Sequence, residues 1–107
     1  MPKVAQRTEE RNPMTEAVLL TGVDQSWITE HTSTRDVSSR GARVATERVW
    51  LPGSLLLLKS LRSDFRARAR VVYWRSFSSS RFAIGLEFLT RVGDWPANNE
   101  DGRRWGA

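Results

Sequence analysis

The chain has 107 residues, 39% of them apolar with five Trp and four Phe, and a formal net charge of +5. That length supplies the core of one domain, and large aromatics at this frequency belong to a folded globule rather than a disordered chain. Cysteine is absent, which excludes a thiol nucleophile, a Cys-ligated metal centre and any disulfide framework.

The single histidine, His31, has no second imidazole with which to share a metal, and its alternating neighbours suit a structural strand position. The longest apolar run, LLLL at 55–58, is far too short to span a bilayer, and the N-terminus lacks the apolar stretch of a secretion signal. A cytoplasmic address and no membrane insertion are expected. Of the 17 basic residues only Lys3 and Lys59 are lysine. Arginine brings planar, forked donors for phosphate and guanine edges, so a phosphate-bearing partner is favoured over an acidic protein. The excess charge is local: between 62 and 81, Arg62, Arg66, Arg68, Arg70, Arg75 and Arg81 face only Asp64, while both ends of the chain cancel to zero.

In chain order, residues 1–16 read as a charged, weakly periodic arm that stops any helical turn before Pro13. Short runs rich in Val, Ile, Leu, Phe and Trp then recur, separated by Gly, Ser or Pro, as in a β domain. The candidate strands are 17–21, 26–32, 34–38, 42–49, 54–60, 65–74 and 82–89, with the second and third combining as one bent strand. In the sixth, Phe65, Ala67, Ala69, Val71 and Tyr73 share one face and Arg66, Arg68, Arg70 and Trp74 the other. In the last, Phe82, Ile84, Leu86 and Phe88 point inward. About six strands with one apolar face each suggest closure into a small barrel. LPGS (51–54) and SFSSSR (76–81) are loops, and residues 90–107 form a polar tail that lays Trp95 against the barrel.

One stretch, TRDVSSRGARV (34–44), carries candidate chemistry. Alternation puts Asp36 and Ser38 on the same side with Val37 in the core, giving a small polar shelf. Gly41, after Ser39 and Arg40, suits a positive φ that other residues avoid. Alone, these residues are explained by an ordinary turn, in which Asx and Ser side chains bond nearby backbone. Upstream, Arg7 and Arg11 are spaced so that two guanidinium groups can converge; the bland alternative is solvated pairing with Glu9 or Glu10. Together the two sets suit guanine plus phosphate, because a carboxylate accepts guanine's N–H donors and a guanidinium binds its O6/N7 edge, stacks on it or holds phosphate.

With RTEER at 7–11, DVSSRG at 36–41 and GLEF at 85–88 after VVYW, the chain resembles the PilZ domain family over about residues 7–89. The resemblance implies an all-β fold, a single six-stranded antiparallel β-barrel with a flexible N-terminal arm. The implied organisation is an arm at 1–16, the barrel at 17–89 and the tail at 90–107. It further implies a receptor for cyclic di-GMP, often bound as an intercalated dimer. Arg7 and Arg11 would grip phosphates and stack on or bond to guanine, Asp36 and Ser38 would read the other guanine edge, and Gly41 would shape the turn. Ligand would draw the arm onto the barrel, and an unidentified downstream protein would sense the change. No cofactor or metal beyond that ligand is implied.

Two other binding roles stay open: a PilZ-like adaptor without ligand, and a small basic barrel for single-stranded nucleic acid. The second is disfavoured because its arginine-rich strand supplies only Trp74 for stacking on bases. An enzyme is not expected, since no nucleophile with a base, paired carboxylates, metal cluster or Walker-type glycine loop is present.

Overall fold

A computed structural model describes residues 12–25, 27–76 and 78–96, and among these there is no helix. Seven strands follow in chain order: β1 Asn12–Pro13, β2 Ala17–Gly22, β3 Thr29–Val37, β4 Gly41–Thr46, β5 Leu55–Ser60, β6 Arg66–Ser76 and β7 Phe82–Val92. Every pairing is antiparallel. The order β3-β2-β5-β6-β7-β4 returns to β3, so six strands form a closed barrel whose backbone donors and acceptors are used within the ring.

Closure falls on β3. Its first half, Thr29–Ser33, pairs with β2, and its second half pairs with β4 on the opposite edge. The two candidate strands at 26–32 and 34–38 are therefore one bent strand. The two-residue β1 extends the line of β2, with Asn12 in register with Val37 and Pro13 with Asp36. Between β1 and β2, Thr34 clamps the chain: its Oγ1 donates to Met14 O at 2.5 Å and accepts from Glu16 N at 2.9 Å. Residues 12–16 thus lie bonded along β3 rather than standing apart from the barrel.

The core follows the period-two pattern. Val18, Leu20, Val44, Leu56, Leu58, Ala69, Val71 and Ile84 are buried, while Arg66, Arg68 and Arg70 are exposed. Inward residues of β6 are small where their partners are large: Ala69 faces Leu56 and Ala67 faces Leu58. Such pairing of unequal side chains fills a narrow barrel without voids. Buried hydroxyls find backbone partners, Thr46 at Arg48 O and Ser60 from the Arg62 and Ser63 amides. His31 lies on β3 with its side chain exposed, as its pattern suggested.

One end of the barrel is closed by aromatics. Phe65 is fully buried beneath Trp95, stacked at 4.1 Å, with Phe88 tilted against it at 5.4 Å. Strand β7 runs on to Val92, three residues beyond the stretch expected from sequence, before the chain turns at Gly93. There φ is +78°, and a Cβ would sit 2.3 Å from Asp64 O, so glycine is required twice over. The turn delivers Trp95 onto Phe65 and lets Asp94 N donate to Asp64 Oδ1 at 3.2 Å. Removing this half-buried ring in Trp95→Ala is expected to lower the unfolding free energy by about 1–3 kcal/mol through lost burial and stacking. Urea unfolding measures it, and an unchanged midpoint would mean that the ring does not cap the core.

Candidate functional site

The site begins with an extra residue in β3. Thr34 pairs with Val44 and Asp36 with Arg43, so the register against β4 shifts by one residue at Arg35, a one-residue bulge. The bulge resets the alternation. Thr34 and Val37 are both buried opposite buried residues, while Arg35 is exposed and Asp36 stands opposite exposed Arg43 on the outer wall.

Asp36 is nevertheless only 5% exposed. A carboxylate so poorly hydrated needs a cation, and Arg43 supplies it from across the hairpin: Nε lies 2.7 Å and Nη2 2.5 Å from Oδ2. The hydrogen bond to Asp36 raises the Arg43 pKa above its ordinary value against a smaller opposing effect of burial. Arg43 therefore stays charged throughout the working pH range.

Ser38 and Gly41 form the hairpin turn. Ser38 N donates to Gly41 O at 2.9 Å, and Ser38 Oγ accepts from Arg40 N at 3.3 Å. The expected open shelf is thus recessed: Asp36 and Ser38 are both buried. The reason for Gly41 also differs from expectation. Its φ is not positive; instead, a Cβ there would lie 2.1 Å from Leu86 O. Close approach of β4 to β7 requires the glycine. From β7, Arg91 Nη1 reaches back to Ser39 O at 2.9 Å and ties the turn to the aromatic end of the barrel.

A second bulge completes the wall. Val71 pairs with Leu86 and Tyr73 with Gly85, leaving Val72 extra in β6. This shifts the phase beyond it. Tyr73, expected inward, sits opposite Gly85 on the outside, while Trp74, expected outward beside Arg70, is exposed at 38% yet sits opposite buried Ile84 and packs edge-on against Phe82 at 5.2 Å. Phe82, expected inward, is half-buried at that contact. Gly85 is open for Tyr73 to lean over, since a Cβ would meet the ring at 2.2 Å.

The consequence is a row of directly paired residues across four strands: Asp36, Arg43, Gly85 and Tyr73. Two depressions flank Tyr73. One, of about 310 Å³, includes Ser38, Arg40, Gly41 and Gly85; the other, of about 210 Å³, is bounded by Arg35, Arg43, Arg75 and Ala83. The Arg75 guanidinium lies 5.4 Å from the Tyr73 ring centroid. Guanidinium groups around a ring and a fixed carboxylate suit an anionic, aromatic ligand.

Of the sequence candidates, Asp36, Ser38 and Gly41 are brought together on one hairpin; Arg7 and Arg11 lie outside the described residues. Arg35, Arg40, Arg43, Arg75 and Tyr73 were not singled out. The arginines flanking the DVSSRG motif were the available signal, but their faces depend on the bulges. Among the described residues no cluster of three metal-ligating side chains occurs, and no helix is long and apolar enough to cross a membrane.

The sequence model described as PilZ domain matches residues 5–94. A search of curated proteins finds no match to the chain.

Two stability tests follow from this geometry. Arg43→Ala is expected to cost about 1–2 kcal/mol, the lower part of the range for a charged hydrogen bond because Arg43 is partly solvated. Asp36→Asn in that background should cost less than in the wild type, since the two residues act as a pair, and a double-mutant cycle by urea unfolding measures the coupling; additive losses would contradict the pairing. Gly41→Ala should cost about 1–3 kcal/mol by overpacking against the Leu86 backbone. Gly85→Ala, which displaces only a side-chain ring, should cost less in the same melts.

Proposed function

Since a match over most of its length makes the chain a member of the PilZ domain family, we propose that it is a cytoplasmic receptor for cyclic di-GMP that acts by binding and passes its signal to a partner protein. In this reading Arg7 and Arg11 bind the phosphates and a guanine face. Asp36 accepts from guanine N–H donors, with Ser38 and Gly41 setting the turn beside it. Arg43 holds the Asp36 carboxylate in a fixed orientation, and Tyr73 offers its ring to a purine.

One observation carries the proposal. Asn12, the residue after Arg11, is in register with Val37, and Pro13 with Asp36, so the chain leaves the RxxxR motif alongside the carboxylate that would share its ligand. Consecutive Cα atoms are about 3.8 Å apart, which leaves the arm no long span to cross. Ligand would draw residues 7–11 onto the row between Asp36 and Tyr73, converting occupancy into a change of surface that a partner can sense.

A second reading has its own support. Ser38 and Asp36 already have partners within the barrel, Ser38 with Arg40 N and Asp36 with Arg43, as a ligand-free adaptor of the same fold would require. Titration calorimetry with cyclic di-GMP separates the two. The receptor reading expects wild-type binding that Arg11→Ala weakens by about 10–100-fold, equivalent to roughly 1.5–3 kcal/mol. Absence of heat with the wild type would favour the adaptor. Strongly salt-dependent binding of oligonucleotides in its place would favour a nucleic-acid barrel.

A further inference from the structure

The outer wall formed by β2, β5, β6 and β7 holds a third depression, of about 400 Å³. It lies toward the Arg66 end of β6, and Tyr73 stands five positions beyond Arg68, about 17 Å of extended strand. Its lining combines aliphatic Leu19, Leu57 and Val92 with cationic Lys59, Arg66 and Arg68, and no carboxylate contributes. Leu57 is 48% and Val92 54% exposed.

The charges here are arranged against the interest of the fold. Lys59 and Arg66 are directly opposite each other on β5 and β6, and like charges in that relation destabilise a sheet. Three other arginines of the barrel do have carboxylates within reach: Arg43 with Asp36, Arg62 with Glu16 at 3.6 Å and Arg70 with Glu87 at 3.4 Å. Among the described residues, no carboxylate lies within 4.0 Å of Lys59, Arg66 or Arg68.

We propose that this groove docks an acidic amphipathic segment of a partner protein, its apolar side chains seated on Leu19, Leu57 and Val92 and its carboxylates on Lys59, Arg66 and Arg68. The barrel is closed, so the segment cannot add as a strand and must bind through side chains, as a helix does in a groove. The groove's apolar residues are aliphatic, which gives no platform for stacked bases. It is also concave, whereas an anionic membrane surface is engaged by apolar groups that protrude into it. The inference concerns a different part of the wall from the cyclic di-GMP site and does not require that reading.

Fluorescence anisotropy with a labelled synthetic helix of Leu and Glu, against the same helix with Lys for Glu, tests it on the full chain. The Glu helix is expected to bind, the Lys helix not, and the double variant Arg66→Glu with Arg68→Glu to weaken binding at least about tenfold. Glutamate at 66 faces Lys59, so this variant replaces a repulsion with an attraction and should melt no lower than the wild type. Lys59→Glu repeats the test from the neighbouring strand. Cyclic di-GMP titrated against the double variant separates the two sites, since a groove confined to this wall leaves that binding as it is in the wild type. The proposal is overturned if neither helix binds, if both bind alike, if the variants bind as the wild type does, or if phosphatidylglycerol vesicles or an oligothymidylate bind in place of the Glu helix.

Discussion

Closure of the barrel at β3 is the constraint on which the remaining features depend. One strand must serve β2 along one edge and β4 along the other, and the ring can shut only if that strand bends. The extra residue at Arg35 provides the bend and also fixes the polarity of everything after it. Without it, strict alternation from buried Thr34 would turn Asp36 into the core and Val37 into solvent. A single inserted residue thus keeps an apolar side chain inside and an acid outside, where Arg43 can neutralise it.

The same device recurs at Val72 in β6, and the two bulges together assemble the outer row. One brings Asp36 opposite Arg43, the other brings Tyr73 opposite Gly85, and the pairing of Arg43 with Gly85 joins the halves. Glycine at the centre of the row is a matter of space: the Tyr73 ring occupies the volume that a side chain would take. The row and its flanking depressions are therefore built mainly by strands, with the turn at 38–40 the one loop beside them.

The strands, the inward faces of β5 and much of β6, and closure into a barrel were legible because alternation and turn residues are local signals. Trp95 was legible too, since a large aromatic among polar neighbours has few places to pack. Phase beyond a bulge was not. Tyr73 turns outward because Val72 has no partner in β7, a fact that lives in the pairing of two strands rather than in either one. Arg43 as the counterion of Asp36 was hidden for the same reason, since its register passes through the bulge at Arg35. For Gly41 the residue type was a correct signal and the cause a different one, because the approach of Leu86 O comes from a strand more than forty positions away.

Arg91 belongs to two neighbourhoods. It borders the aliphatic groove on β7, lies 5.0 Å from the centroid of Phe65 and donates to Ser39 O in the turn that shapes the other face. One exposed side chain thereby joins a hairpin turn on β3–β4 to the aromatic cap, and trimming it would slacken both ends of that span together.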